Sequence, residues 1–301
     1  MPARPDQLNL TATDSARLSV PAGSTPPLRL ADPETTVTLK SPSLLQLTQE
    51  IANIKNIHLA APDPLKARVS YLLATELNES TFHQLWSNSG FFHGVTATLW
   101  KRPRTALYRI MPNNQHECIR DVFFYALGML LLEMNLSALD GDFKPSGSGR
   151  IYGVETSKEP DFAFRPGPRL ASGDLQPPSL ILEVGVSESY PQLLQDVNWW
   201  SESAPVRPGI VVLIYVKTRP AFRVNFEVWT ESPAPSRYNT RSAPPTRLQR
   251  SQHVYVEANV VHGGPLRLDF SLLMRRAPTP PLEHDVIFTD QQLLVIAEEE
   301  E

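Results

Sequence analysis

Two acidic residues, Asp161 and Glu183, lie in or next to apolar segments, where their carboxylates could bind a metal ion. Asp161 follows Pro160 and opens the segment 161–165, which alternates small or polar residues with phenylalanines as a half-buried strand does. Some twenty residues later, Glu183 interrupts the apolar run 180–184. Burying an ionised carboxylate is costly unless something compensates it, and a divalent cation shared by two acids is one such compensation. The two segments therefore predict neighbouring strands that carry a metal site.

The spacing of these residues resembles the motif of the PD-(D/E)XK nuclease superfamily, in which Pro-Asp, a variable gap and then Asp/Glu-X-Lys occur on successive strands. The matching residues are Pro160-Asp161 and Glu183-Val184, with Gly185 at the position of the lysine. The stretches 111–117 and 183–200 are similar to fungal proteins related to bacterial candidate restriction endonucleases, and the resemblance covers roughly residues 100 to 230. It implies an α/β (α+β) fold with a restriction-endonuclease-like core, a mixed central sheet flanked by helices.

The resemblance also implies which residues form the site. Asp161, Glu183 and the Val184 carbonyl would hold Mg²⁺ or Mn²⁺, and the metal would lower the pKa of a bound water and polarise the phosphate of a nucleic acid. Glu117, in the first turn of a predicted helix, would complete the metal shell. An alternative interpretation of Glu117 is a first-turn acid that is simply stabilised by the helix dipole.

Gly185 departs from the motif, because the family has its lysine at this position. Side chains two apart on a strand share a face, so a lysine here would point with Glu183 toward the reacting phosphate. The candidates to replace it in a catalytic role are Lys158, just before the Pro-Asp strand, and Gln195 or Gln192 on the following helix. Lys158 lies three residues before the motif aspartate and so nominally on the opposite face of a regular strand, unless Pro160 introduces a twist.

Several of these residues also have purely structural interpretations. Asp161 could cap a turn, and Glu183 could pair with a buried arginine. His116 is interpreted as a hydrogen-bonded surface or edge histidine rather than a metal ligand. Trp199 and Trp200 are interpreted as core residues of a helix packed on a sheet rather than as base-stacking groups.

Composition limits the classes of protein that fit. The net charge of −4 argues against a protein whose main task is non-specific binding to a polyanion, although a local basic groove is compatible with it. The single cysteine, Cys118, excludes an intrachain disulfide and fits a reducing compartment. No apolar signal region is seen near Met1, and the apolar run 122–132 is far shorter than the ~20 residues of a membrane span. We therefore expect an intracellular protein, cytoplasmic or nuclear, without a membrane segment.

Periodicity predicts the elements that position these residues. Leucine and valine spacing predicts a helix from Pro62 to about Asn78. A hairpin with a basic tip is predicted from residues 95–100 and 105–111. The remaining predictions are an enclosed helix over 115–136, a strand over 150–154, a helix over 190–201, a central strand over 210–216 and strands over 222–230 and 253–260.

The chain divides into a proline-rich N-terminal segment, residues 1–40, predicted to be disordered, and one nuclease-like domain, residues 41–301. Within the domain, residues 231–252 form a predicted flexible loop rich in proline and arginine. Two hypotheses about function follow. The first is a metal-dependent nuclease acting on DNA or RNA. The second is a nuclease fold that has lost catalysis and serves as a binding or regulatory module, which the missing lysine favours.

Overall fold

The computed structural model describes residues 36–60, 70–88, 92, 94–110, 115–167, 176–186, 189–217, 221–233 and 246–298. Its architecture is mixed α/β, with helices flanking mixed sheets, as predicted. The sequence predicted one central sheet, whereas two large sheets are present. Among the described residues, no helix has the length and apolar character needed to cross a membrane.

The first sheet, called sheet A, has six strands and packs against two helices. It contains β1 (Thr36–Lys40), β2 (Ser70–Thr75), β3 (Val95–Trp100), β4 (Thr105–Ile110), β6 (Ile151–Tyr152) and β7 (Thr156–Lys158), in the order β1-β2-β4-β3-β7-β6. The strands β1 and β2 are parallel, and the other pairs are antiparallel. The helices α1 (Leu44–Leu59) and α2 (Glu79–Ser87) bury their apolar faces in the same core as this sheet. Reciprocal bonds between Ser43 and Gln46 form a capping box that begins α1.

The second sheet, called sheet B, has seven strands. It contains β5 (Phe143–Pro145), β8 (Phe162–Pro166), β9 (Leu180–Gly185), β10 (Ile210–Lys217), β11 (Arg223–Pro233), β12 (Thr246–Glu257) and β13 (Val260–His262), in the order β13-β12-β11-β10-β9-β8-β5. Only the pair β9 and β10 is parallel among these described strands. The central strands β9 and β10 are buried on both faces, which is why they read as continuous apolar runs.

Helices cover both faces of sheet B. One face packs against α3 (Gln115–Glu133), α5 (Phe270–Met274), α6 (Asp290–Glu298) and the small hairpin of β14 (Leu266–Leu268) and β15 (Val286–Phe288). The other face packs against α4 (Tyr190–Glu202). Helix α4 also reaches sheet A, because the Trp199 indole N–H donates to Thr156 of β7 at 3.1 Å. The space between the two sheets is thus closed by α4.

The chain crosses from sheet A to sheet B at the predicted motif. Strand β7 of sheet A ends at Lys158, the residues Glu159, Pro160 and Asp161 follow, and β8 of sheet B begins at Phe162. The crossing is buried throughout. The motif aspartate therefore lies where the two sheets meet, and both sheets can supply its neighbours.

Several predicted elements match the structure closely. They are the hairpin of β3 and β4, the helices α3 and α4, and the central strand β10. Helix α3 differs from the prediction in one respect. It was expected to be enclosed on every face, but Tyr125, Met129 and Leu132 lie on its exposed side.

Three predictions of secondary structure differ from the observed elements. The helix predicted from residue 62 to 78 is wrong over residues 70–75, which form β2, while residues 61–69 lie outside the described residues. The loop predicted over 231–252 is strand at both ends, in β11 and β12, and residues 234–245 lie outside the described part. The predicted disordered segment 1–40 ends in a strand, β1, and residues 1–35 are not described.

Candidate functional site

The two motif acids lie side by side between the sheets. Phe162 pairs with Leu182 across the antiparallel strands β8 and β9, which places Asp161 opposite Glu183. Both acids lie on the side of sheet B that packs against α4, with Ala163 and Ile181 in the same core. Asp161 is 1% exposed and Glu183 is 0% exposed. Their charges must therefore be compensated inside the protein.

Arg109 of β4 is the central compensating group. Its side chain is buried, and its guanidinium forms an ion pair with Asp161. The same group lies 3.6 Å from Glu183 Oε2 and 3.7 Å from Asp196 Oδ2, while its Nε donates to Thr96 Oγ1 at 3.1 Å. One arginine of sheet A thus contacts both motif carboxylates of sheet B and an acid of α4.

Lys158 supplies the second cation. Its Nζ donates to Asp196 Oδ1 at 2.7 Å and lies 3.4 Å from Glu183 Oε1. Burial alone would lower the pKa of Lys158, but Asp196 and Glu183 raise it overall. On a regular strand, Lys158 would have pointed away from the motif acids. The strand is interrupted before Asp161, so Lys158 belongs to β7 of sheet A and faces the acids across the space between the sheets.

Asp161 is held as a carboxylate by several donors. The Val184 N–H donates to its Oδ2 at 2.8 Å, and the His116 Nε2 lies 2.9 Å from the same oxygen. Burial by itself would raise the pKa of Asp161, but Arg109, His116 and the Val184 N–H together lower it well below its ordinary value. The interpretation of His116 as a surface or edge residue is wrong, since its side chain is buried against Asp161.

Glu183 is less completely paired. The indole N–H of Trp200 donates to Glu183 Oε1 at 2.7 Å, so this tryptophan is a core residue, as predicted, and also a hydrogen-bond donor. Glu183 Oε2 accepts no hydrogen bond. Burial, together with the charges of Asp161 and Asp196, raises the pKa of Glu183 to about 8 against the opposing effect of Lys158 and Arg109.

Together these five residues form one ionic cluster: Arg109, Lys158, Asp161, Glu183 and Asp196. It contains three acids and two permanent cations, all enclosed by the two sheets and α4. A raised pKa at Glu183 is the expected response, because two cations neutralise only two carboxylates. The cluster is close to electrically neutral without any added ion.

The remaining predicted site residues lie outside this cluster. Glu117 is exposed in the first turn of α3, and Gln195 is exposed on α4. Gln192 is buried on α4, and its Oε1 has no hydrogen-bond partner. Val184 contributes its N–H to Asp161, and its predicted carbonyl ligand role stays a prediction.

Gly185 cannot be extended into the site without displacing the Leu193 side chain of α4. A Cβ built at this position would lie 2.7 Å from Leu193 Cδ1 and 2.8 Å from Leu193 Cδ2, and Leu193 is fully buried. Contacts this short require the helix side chain to move. The place of the motif lysine is therefore occupied by a leucine of α4, and the cation near Glu183 comes from β7 instead.

The ligands that a divalent cation needs are already engaged. Mg²⁺ and Mn²⁺ bind deprotonated oxygen atoms, but both Asp161 oxygens accept from protein donors and Glu183 Oε1 accepts from Trp200. Glu183 Oε2 alone accepts no hydrogen bond. Within the described ranges, no group of three histidine, cysteine or acidic side chains is placed to hold a metal. The residues as arranged do not fit a Mg²⁺ or Mn²⁺ centre.

A cleft opens beside the ionic cluster, between sheet A and the start of α3. Its cavity volume is about 240 Å³, and Asp161 forms part of its inner wall. The other lining residues that matter below are Phe92, Thr96, His116, Glu117 and Arg120. The cleft therefore connects solvent to the Asp161 side of the cluster.

Arg109 and Asp196 are absent from the residues that the sequence singled out. Arg109 is the one charged residue in the strand 105–110, all of which is buried, and a lone arginine in such a strand signals a buried acidic partner. Asp196 carried no comparable signal, since an acid is ordinary on one side of an amphipathic helix. The contact between them depends on how α4 packs between the sheets.

Comparison with known proteins finds a distant likeness in shape and no match in sequence families. No family model matches the sequence, and no curated protein matches it. A solved structure with a similar shape is that of a candidate nuclease belonging to DUF820 from Anabaena variabilis ATCC 29413. The two chains are 11% identical, the TM-score is 0.37, and the match covers 67% of this chain and 90% of that chain. A likeness this distant says nothing about chemistry, which depends on the residues of this chain.

Proposed function

We propose that this protein has a restriction-endonuclease-like core that acts by binding a ligand, without metal-dependent phosphodiester hydrolysis. The observation that carries the proposal is the contact of the Arg109 guanidinium with both motif carboxylates. The order of α3, the strands β8 and β9, α4 and β10 supports the nuclease-like core. In this core an internal cation takes the charge-compensating role that a metal would have.

Exchange of this arginine for a metal ion would be costly. A divalent cation would have to displace the guanidinium from Asp161 and remove a proton from Glu183, whose pKa is raised by burial. The displaced Arg109, which is 5% exposed, would lose its buried acidic partners. Breaking a buried ion pair in this way typically costs about 3 to 5 kcal/mol. The cluster therefore favours an arrangement without metal.

A second function is favoured by the position of Lys158. Its Nζ lies 3.4 Å from Glu183 Oε1, so the chain does present an aspartate, a glutamate and a lysine together. In a Mg²⁺- or Mn²⁺-dependent nuclease acting on DNA or RNA, this lysine would stabilise the developing charge on the phosphate. This candidate requires Arg109 to leave the carboxylates when metal and nucleic acid bind.

Calorimetry with Mg²⁺ and Mn²⁺, combined with cleavage assays on single- and double-stranded DNA and RNA, separates the two functions. For the wild type we expect no metal-dependent heat and no cleavage. The Arg109→Ala variant is the matched test, because its uncompensated carboxylates should gain Mn²⁺-dependent thermal stabilisation that the wild type lacks. Metal-dependent cleavage by the wild type that Lys158→Ala abolishes would overturn the proposal and establish the nuclease.

A further inference from the structure

We infer that the cleft beside the ionic cluster binds a small phosphate ester of a nucleoside or sugar. The inference rests on the proposed function, since it names the ligand class of the same site. The cavity of about 240 Å³ lies just below the range of about 300 to 1,000 Å³ that is usual for drug-sized ligands. It suits one nucleotide-sized molecule rather than a duplex.

The first support is an unsatisfied nitrogen at the wall of the cleft. His116 is 3% exposed, and its Nδ1 has no hydrogen-bond partner. Its Nε2 makes no well-aligned hydrogen bond either, but it lies 2.9 Å from the Asp161 carboxylate, which is an acceptor, so Nε2 is the nitrogen that carries the hydrogen. In the neutral imidazole, Nδ1 is then an acceptor. A buried ring nitrogen left without a partner is costly, and a ligand hydroxyl or amine would satisfy it.

The second support is a cationic side chain beside a helix N-terminus. Two of the three carboxylates in the lining are already paired, Asp161 with Arg109 and Glu159 with Arg150. The cleft is lined by residues from the first turns of α3, a helix of 19 residues whose N-terminal end carries a partial positive charge. Arg120 lies in the second turn and contacts only the exposed neighbour Asp121 among the ion pairs of the described residues. An exposed pair of this kind is weak, so the guanidinium can also serve a ligand anion.

A further cation lies near the cleft without lining it. The Lys55 Nζ is close to the lining residue Gly94, since a Cβ built on that glycine would lie 3.6 Å from it. Burial lowers the pKa of Lys55, while the charge of Glu117 opposes this. Arg120 is therefore the cation in the lining that an anionic ligand would meet.

The acceptors in the cleft require that the ligand also carry donors. Glu117 is exposed at the cleft, and like His116 Nδ1 it can accept from a hydroxyl group. Phe92 adds an aromatic wall, and its ring packs edge-on against Tyr108 with centroids 5.3 Å apart. An anion, several hydroxyl groups and an apolar face occur together in a nucleoside or sugar phosphate, whereas inorganic phosphate has only the first.

Calorimetry in EDTA tests the inference with four probes: AMP, adenosine, inorganic phosphate and a 5′-phosphorylated dinucleotide. We expect AMP to bind and adenosine and phosphate alone to bind at least about tenfold more weakly, because each lacks part of the recognised set. Tighter binding of the dinucleotide than of AMP would identify the phosphorylated end of a strand as the source of the ligand. Failure of both phosphate esters to bind would overturn the inference.

Two variants of His116 form a matched pair. Gln at this position keeps an N–H near Nε2 for Asp161 but removes Nδ1, and Asn keeps a polar atom near Nδ1 but gives up the bond to Asp161. We expect His116→Gln to retain the wild-type melting temperature and to lose AMP affinity about tenfold, which is the scale of one hydrogen bond. Unchanged affinity in a folded His116→Gln protein would contradict a role for Nδ1, and His116→Asn should instead lower stability more than affinity.

Charge variants complete the experiment. Arg120→Gln should weaken AMP about tenfold, whereas Lys40→Gln, which changes an exposed charge in β1 outside the cleft lining, should not. AMP binding that appears only after Mn²⁺ is added would overturn both this inference and the proposed function. A wild type that binds neither metal nor AMP would overturn this inference and leave the metal-free cluster standing.

Discussion

Two buried glutamates of sheet B lie in one row across three strands and have different surroundings. Leu213 of β10 pairs with Glu183 of β9 on one side and with Glu227 of β11 on the other, so both acids point to the same face. Each is 0% exposed. Their difference shows how a buried carboxylate can be purely structural or belong to a site.

Glu227 is surrounded mainly by neutral donors. The hydroxyl groups of Tyr190 and Tyr215 and the indole N–H of Trp229 donate to its carboxylate at 3.1 to 3.2 Å. Arg250, whose side chain is 43% exposed, donates at 2.6 Å. Both oxygens of Glu227 are thus satisfied, and its one cation remains in contact with solvent.

A β-bulge makes this arrangement possible. Arg250 pairs with Trp229 and Gln252 pairs with Val228, so Ser251 is the extra residue in β12. Because of the bulge, Arg250 and His253 lie on the same face although they are three residues apart. His253 Nε2 lies 3.1 Å from Asn225 Oδ1 on that face.

Glu183 shares its cations with two other acids and keeps one oxygen without a hydrogen bond. A carboxylate that already accepts from four donors has little remaining capacity to bind a ligand, so Glu227 has a structural role. The ionic cluster around Glu183 has three acids and two permanent cations, and it borders a cleft. One of its carboxylate oxygens, Glu183 Oε2, accepts no hydrogen bond. These features associate function with the Glu183 side of the row.

Arg109→Ala should give the largest effect, because it leaves Asp161 and Glu183 buried without their shared cation. We expect a loss of about 3 to 5 kcal/mol in the free energy of unfolding, measured by urea denaturation. The matched change at the other glutamate, Arg250→Ala, should cost only about 1 to 2 kcal/mol, since solvent and three neutral donors remain. Equal losses would remove the distinction between the two sites.

Glu183→Gln should remove a pH dependence of stability. The pKa of Glu183 is raised from 4.5 to about 8, so the folded state keeps a proton that the unfolded state releases as the pH rises above 4.5. The stabilisation is fully present below pH 4.5 and is lost toward pH 8. Relative to the variant, the wild type should lose roughly 2 to 4 kcal/mol across this interval. Parallel pH profiles of unfolding would contradict a protonated Glu183.

Glu227→Gln should destabilise the protein by about 1 to 3 kcal/mol, because the amide nitrogen cannot accept from Trp229 or Arg250. Far-ultraviolet circular dichroism should stay unchanged, and AMP affinity in the cleft should equal that of the wild type. A change in AMP binding by this variant would show that the two glutamates are coupled rather than separate.

Two glycine substitutions should change stability with opposite signs, and the second of them gives the smallest expected effect. Gly185→Ala places a Cβ against Leu193 and should destabilise by about 1 to 3 kcal/mol through overpacking beside Glu183. Gly128→Ala meets nothing within 4 Å in the middle of α3 and should stabilise by about 0.5 to 1 kcal/mol. Thermal denaturation distinguishes the two. A stabilised Gly185→Ala protein would show that α4 can yield space to a side chain at the motif position.

The local sequence predicted secondary structure well where an element's own residue pattern determines its conformation. It predicted secondary structure poorly where pairing with neighbouring elements determines the conformation. The leucine spacing of residues 70–77 fits a helix, but β2 pairs with β1 and β4 and buries half of its side chains, so tertiary pairing overrides that pattern. The arginine-rich segment 231–252 was predicted to be a loop, but Arg250 lies in β12. It forms an ion pair there with Glu227 of the paired strand β11.

The sequence by itself determined that one strand segment follows Asp161 and that Glu183 lies inside another, because alternation and apolar runs are properties of each segment alone. Only the tertiary structure decided what compensates them. Arg109 is 52 residues from Asp161 along the chain and reaches it from another sheet, a relation that no local spacing encodes. Charge pairing in a buried site depends on three-dimensional proximity. The role of Arg109 in neutralising the motif acids could therefore be recognised only from the way the two sheets pack together.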